Sequence, residues 1–209
     1  MSFYIAIIDY GMGNLKSVSK LLDFLKISNT ITSDPEYILN ADGVILPGVG
    51  AFGDAMENLR DKGLVSIIDE IVREGKPLFG ICLGLQLLFT KSYEMGEFLG
   101  LGYIPGEVIP FDKSKVGKIP QIGWNSVNLK KKDHYLINNI PNNSYFYFVH
   151  SFYCVPENEG AILGQTQYGE ITFCSIARKE NIVATQFHPE KSSTLGIQMY
   201  KNFVEFCKK

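Results

Sequence analysis

The stretch Lys76-Pro77-Leu78-Phe79-Gly80-Ile81-Cys82-Leu83-Gly84-Leu85-Gln86-Leu87-Leu88-Phe89 decides how the rest of this chain is read. It opens as a short apolar run of strand type and continues as a helix-like run, with Cys82 at the junction. Gly80 and Gly84 stand two residues to either side of that cysteine. The G-x-C-x-G pattern repeats the physics of the G-x-S-x-G nucleophile elbow, where a strand turns sharply into a helix and leaves little room beside the nucleophile. Such a turn aims the sulfur off the strand end, beside the free N–H groups of the helix N-terminus. Those groups and the helix dipole favour a thiolate. The competing reading is a structural cysteine buried in an ordinary βα unit. The pentapeptide alone does not choose between them.

Upstream, apolar strand-like runs alternate with amphipathic helical patterns. Tyr4 to Asp9 is apolar and β-branched, and Asn14 stands where it can cap a helix carrying Leu15, Val18, Leu21, Leu22 and Leu25 at helical spacing. Asn29 to Thr32 reads as a short strand, and Asp34-Pro35 opens another helix with proline at its first position. Gly43-Val44-Ile45-Leu46 is a continuous apolar strand, ended by Pro47-Gly48-Val49-Gly50. A helix follows from about Asp54 to Arg73, with a possible break at Gly63. This alternation implies right-handed βαβ units and a parallel sheet.

Downstream of Gly100 the rhythm changes. Glycine and proline punctuate strand-like pieces at Gly106–Pro110, Gly123–Val127, Tyr145–Val149, Gly169–Phe173 and Ile182–Phe187. The closing helix has Ser192 or Ser193 as its expected cap, with Met199, Tyr200, Phe203, Val204 and Cys207 as its apolar stripe. The expected fold is α/β: a mostly parallel central sheet with flanking helices and an added antiparallel portion. No repeat or linker divides it, so residues 1–209 are expected to form a single domain.

Composition narrows the function. A net charge of -2 gives no attraction to nucleic acid or to an anionic membrane surface, and neither is expected as a partner. The run Lys130-Lys131-Lys132 before Asp133 reads as a solvated turn. No apolar run reaches transmembrane length. The N-terminal residues lack a basic leader segment and a small-residue cleavage site, and read as the first strand. Four scattered cysteines without a C-x-x-C pair point to reduced thiols and a cytoplasmic protein. Three histidines without metal-ligand spacing give no metal site, and no cofactor is expected.

Two further segments lie just past buried strands, where sites of open α/β sheets collect. In His188-Pro189-Glu190 the proline biases His188 towards an extended backbone, so imidazole and carboxylate can face one cleft. A cysteine nucleophile needs such an acid/base, and the base needs an orienting acceptor. His134 sits in a charged loop; His150 also follows an apolar strand and is the one rival to His188. In Pro47-Gly48-Val49-Gly50, two glycines around a small residue allow N–H groups to turn inward, as an oxyanion hole requires.

Taken in order, the P-G-V-G loop, G-I-C-L-G-L-Q and H-P-E resemble the triad-type, class I glutamine amidotransferases. Asp9–Asn14, Pro47–Phe52, Gln121–Asn125, Tyr147–Ser151 and His188–Ser193 are similar to the branch of that family that supplies ammonia to a separate (βα)₈-barrel cyclase in histidine biosynthesis. The resemblance implies L-glutamine as substrate, Cys82 as nucleophile, His188 as proton shuttle and Glu190 as its orienter. It implies that the amides of Leu83 and of Val49 or Gly50 bind the oxyanion. Gln86 and Glu94 match positions lining the glutamine site, and Ser151 and Phe152 match backbone contacts to substrate. Gln86 also lies one helical turn beyond Cys82. Trp124 (the only tryptophan, in a turn-prone Gly-Trp-Asn context), Tyr147 and Lys191 match positions that face the cyclase. A paralogous ammonia-supplying subunit for another synthase, such as one of surface-sugar biosynthesis, or a stand-alone cysteine amidohydrolase, would carry the same triad.

Overall fold

The computed structural model describes residues 3–130 and 133–209. Of the turn expected at Lys130-Lys131-Lys132, Lys131 and Lys132 lie outside the described residues, as do Met1 and Ser2 at the expected first strand.

The first half is built from short, fully buried strands and one-faced helices. It runs β1 (Ile5–Ile8), α1 (Leu15–Phe24), β2 (Asn29–Thr32), α2 (Pro35–Leu39), β3 (Gly43–Gly48), α3 (Phe52–Asp61), α4 (Leu64–Arg73), β4 (Leu78–Cys82) and α5 (Leu83–Leu87). The second half is strand-rich: β5 (Phe89–Ser92), β6 (Phe98–Leu99), β7 (Ile104–Pro110), the single turn α6 (Lys113–Val116), β8 (Gln121–Leu129), β9 (Ser144–His150), β10 (Phe152–Pro156), β11 (Ile162–Tyr168), β12 (Ile171–Lys179), β13 (Ile182–Thr185) and the closing α7 (Ser193–Cys207).

The main sheet runs in the order β2-β1-β3-β4-β13-β12-β10-β7-β5-β6. From β2 to β13 every pairing is parallel. At β12 the direction reverses, and the sheet forks. One arm continues through β10 and β7, while β11, β8 and β9 form the other. The parallel block of five strands is thus the part that the apolar runs foretell, and the other eight strands pair antiparallel except for β5 with β7.

Side chains of the central strands alternate between two apolar layers. Ala6, Ile8, Val44 and Leu46 pack with the buried faces of α3 and α4, including Phe52, Met56, Leu59, Leu64, Ile68 and Ile71. Ile5, Ile7, Ile45, Phe79 and Ile81 pack with Val18 and Leu22 of α1 and with Met199, Tyr200, Phe203 and Val204 of α7. A sheet covered on both faces needs continuous rather than alternating apolar strands, which is how β1, β3 and β4 are written. Gly63, at φ 67, separates α3 from α4 as the sequence anticipates.

Several local expectations are corrected. α5 stops at Leu87, and Phe89, expected in the helix, begins β5. β3 runs on through Pro47 and Gly48, which pair with Ile81 and Cys82 instead of ending the strand. Asp34 caps α2 by accepting from Glu36 N at 2.9 Å, but Asn14 makes no capping hydrogen bond to α1. Neither Ser192 nor Ser193 caps α7 with its side chain. Gly169 and Glu170 form a turn ahead of β12. Trp124 lies inside β8, opposite Tyr147, in the strand expected at Gly123–Val127, and its turn-prone neighbours make no turn there.

The elbow dictates one stability test. A β-carbon at Gly84 would run into the carbonyl oxygen of Leu46, which is backbone of a central strand and has nowhere to go. At Gly63 a β-carbon meets nothing and only the left-handed backbone resists it. Gly84→Ala is therefore expected to cost about 3 kcal/mol and Gly63→Ala about 1 kcal/mol. Urea unfolding of both variants checks the order, and equal losses would contradict the close approach.

Candidate active site

Cys82 is the last residue of β4 and immediately precedes α5. Its backbone is at φ 55, ψ -107, a conformation that a side chain-bearing residue adopts only when its surroundings compel it. Here the compulsion comes from the pairing of Ile81 and Cys82 with Pro47 and Gly48 on one side and the helical turn of Leu83 to Leu87 on the other. The sulfur is 3.9 Å from the carbonyl oxygen of Val149 and 3.9 Å from Nε2 of Gln186. At 6% exposure, Cys82 opens to solvent only through the cavity in front of it.

His188 and Glu190 form the second component. Nδ1 of His188 lies 2.7 Å from Oε1 of Glu190, and both side chains are 2% exposed. His188 is extended, and Pro189 begins the one-turn 3-10 helix Pro189–Lys191 that swings the carboxylate back onto the ring. The segment is clipped to β9 by its backbone. His188 N donates to Tyr147 O at 2.9 Å. Tyr147 N donates to Ser192 Oγ at 3.0 Å, and that hydroxyl donates to His188 O at 2.6 Å. Ser192 thus fastens the histidine turn, where a helix cap was expected.

Nε2 of His188 is buried and makes no well-formed hydrogen bond to the described residues, yet it is close enough to Cys82 for the sulfur to act on it. Burial alone would lower the His188 pKa. The Cys82 sulfur and the Glu190 carboxylate outweigh burial and raise it well above the ordinary 6.5. Both neighbours favour the protonated ring, the form that can donate to a leaving group.

In front of the sulfur is a cavity of about 300 Å³. Its wall brings together Val49, Gly50, Cys82, Leu83, Gln86, Glu94, Ser151 and Phe152, with Pro120, Val149 and His150. His188 and Glu190 stand behind the wall. Glu94 accepts from Phe52 N at 2.7 Å, at the start of α3. Burial raises its pKa first, the Phe52 hydrogen bond pulls it down, and nearby Asp54 raises it again, for a net increase. A carboxylate so placed suits a cationic ligand group. Gln86 is buried and donates through Nε2 to Phe152 O and to Gln186 Oε1, both at 3.2 Å.

Trp124, Tyr147 and Lys191 do not line this cavity; they lie together on the outer face of the β8–β9 pair. The Trp124 and Tyr147 rings meet edge to face at 6.3 Å between centroids, and Lys191 Nζ is 6.0 Å from the Tyr147 ring centre. Trp124 is 52% exposed, so it is not a core residue. Ile122 and Tyr145 extend the exposed apolar face beside it.

His150 is no rival to His188 as a base. Its Nδ1 is 2.7 Å from Phe152 O and its Nε2 3.0 Å from Gln121 Oε1, so both nitrogens are engaged. Sequence reasoning missed Gln186, the buried amide between Cys82 and Gln86. One signal could have found it: Gln186 is the polar residue two positions before His188 in an apolar extended run, hence on the same side. It also missed Tyr10, whose hydroxyl is buried without a hydrogen-bond partner among the described residues and crowds Gly48. Among the described residues, no cluster suited to a metal ion is present, and no helix is long and apolar enough to cross a membrane.

A family profile described as "Glutamine amidotransferase class-I" matches residues 6–206. A chain of Moorella thermoacetica named "Imidazole glycerol phosphate synthase subunit HisH" is 51% identical over 205 residues, covering 98% of this chain and 95% of that one. A chain of the same name from Geobacter metallireducens is 46% identical over 204 residues, covering 95% of this chain and 96% of its own. Among solved structures, one described as PurLQS from Thermotoga maritima superposes with a TM-score of 0.78 at 16% identity, covering 99% of both chains, a likeness of fold alone.

Burial of His150 has a consequence for pH. Desolvation lowers its pKa to about 4, against the opposing Phe152 hydrogen bond and with a further push from His188. In the unfolded chain the ring titrates near 6.5, so between these values the unfolded state binds more proton and stability falls as pH falls. His188, with its raised pKa, works the other way: near pH 7 the folded state binds more proton than the unfolded chain, so its contribution to stability rises by about 1 kcal/mol as pH falls to 5. The His150 contribution to the loss from pH 7 to pH 5 is about 2 kcal/mol, and His150→Gln should be less acid-sensitive than the parent protein by that amount. Urea unfolding of both proteins at the two pH values is the check; equal losses would refute the assignment.

Proposed function

The chain belongs to the class-I glutamine amidotransferase family, and on that premise we propose that it hydrolyses glutamine to glutamate and ammonia. The ammonia passes to a separate (βα)₈-barrel cyclase, in a cytoplasmic complex that makes imidazole glycerol phosphate for histidine biosynthesis. The carrying observation is the strained Cys82 elbow at the cavity wall with the His188–Glu190 pair close to its sulfur. The names of relatives aligned along nearly the whole chain support the pathway.

The chemistry follows from the geometry. The Cys82 thiolate attacks the side-chain carboxamide carbon of glutamine. As the S–C bond forms, the carbonyl electrons move to oxygen, and that oxyanion is met by the N–H of Leu83 and of Val49 or Gly50. Protonated His188 then delivers its proton to nitrogen, the C–N bond breaks, and ammonia leaves a thioester on Cys82. Water attacks the thioester and gives a proton to His188, and the S–C bond breaks to return the thiolate and glutamate. Glu190 keeps the ring in register and offsets its charge. Glu94 receives the ammonium of the substrate, Gln86 its carboxamide, and the Ser151–Phe152 backbone completes the cradle.

Val49 is 41% exposed at the lip of the cavity, on a loop flanked by glycines. The loop reorients when the cyclase docks on the Trp124, Tyr147 and Lys191 face, so ammonia is made only when it can be used. The isolated chain is expected to release little ammonia from glutamine, and cyclase with its own ligand to raise that rate; brisk turnover of the free chain, unchanged by cyclase, would contradict this. Cys82→Ala should abolish glutamine-dependent synthesis by the complex while leaving synthesis from added ammonium salt intact. Loss of both activities would defeat the division of labour. Trp124→Ala should weaken cyclase binding by about 2 kcal/mol, read by titration calorimetry.

A further inference from the structure

We infer that Gln186 is a positioning residue that sets, through one buried amide, both the nucleophile and the orientation of Gln86 towards the substrate; this rests on the glutaminase reading above. Gln186 follows β13 and is fully buried. Its Nε2 points to the Cys82 sulfur at 3.9 Å, and its Oε1 accepts from Gln86 Nε2 at 3.2 Å.

The directions in this chain are forced. The Phe152 carbonyl only accepts, so Gln86 presents Nε2 to it and to Gln186, and the Gln186 amide answers with its oxygen and turns its nitrogen to the sulfur. Gln86 then spends one N–H on Gln186 and the other on the Phe152 carbonyl. A primary amide has two N–H bonds, so Gln86 has no donor left. Its Oε1 accepts no hydrogen bond from the described residues and belongs to a side chain on the cavity wall. Gln86 therefore meets the ligand as an acceptor. It can take the N–H₂ of a carboxamide and opposes the carboxylate of glutamate, so the relay favours substrate over product.

The test uses the complex with cyclase and two variants, with circular dichroism to confirm folding. Gln186→Met removes both arms. It is expected to raise the KM for glutamine about tenfold and to narrow the preference for glutamine over inhibitory glutamate by a similar factor. Gln186→Glu can reproduce both arms only while its carboxyl is protonated, so its activity should fall with rising pH where the parent protein's does not. Unchanged KM and selectivity in the first variant, or a parental pH profile in the second, would overturn the inference. Iodoacetamide alkylation of Cys82, followed by mass spectrometry, needs no glutaminase activity. It should slow about tenfold in Gln186→Met as the thiolate loses its N–H neighbour, and equal rates would overturn the Gln186–Cys82 arm. A parent complex that releases no ammonia from glutamine would instead refute the glutaminase reading, while the alkylation rates still decide whether Gln186 holds the sulfur.

Discussion

The structure depends on one close approach of backbone to backbone. α5 is laid against β3 so tightly that the Gly84 position admits no β-carbon before the Leu46 carbonyl, and Gly80 faces the Gly84 carbonyl in the same way. This contact bends the chain at Cys82, holds its unusual φ, and brings the end of β3 beside the end of β4. The Pro47–Gly50 loop, the sulfur and the start of α5 are therefore fixed relative to one another by main-chain packing. Side chains added later in the sequence, Gln186 and His188, arrive at a frame that already exists.

The two buried histidines show how the same residue type is set to opposite tasks. Burial pushes both pKa values down. At His150 little opposes it, the pKa falls to about 4, and a neutral ring serves as a brace between Gln121 and Phe152. At His188 the sulfur and Glu190 outweigh burial, and the protonated ring is favoured. Environment, not position along the chain, separates the brace from the ring set against sulfur and carboxylate.

Much of the parallel half was legible because its strands are buried on both faces and written as unbroken apolar runs, with helices of clear period between them. The antiparallel half was less so. β10 and β11 were not anticipated: β11 carries register shifts around Gly164, and strands with one covered face give only short alternations. The helix after Cys82 was read too long, since Leu87, Leu88 and Phe89 are apolar in either state and only tertiary packing makes Phe89 a strand residue. In the site, the Cys82 elbow and the His188–Glu190 spacing were readable as local geometry. Gln186 was not, because an amide in a strand acquires meaning only from the sulfur and the amide that the fold brings to it.

β9 serves two surroundings at once. The Tyr147 ring belongs to the outer face with Trp124 and Lys191, while the N–H and C=O of the same residue hold Ser192 and His188. The Val149 carbonyl touches the sulfur. Inside, the strand contributes its peptide groups, which every residue except proline possesses; outside, it contributes side chains, which are free to vary. On the proposed function, such a wall would let the outer face be rewritten for a new recipient of ammonia without altering the frame around the sulfur. It is a modular boundary one strand thick.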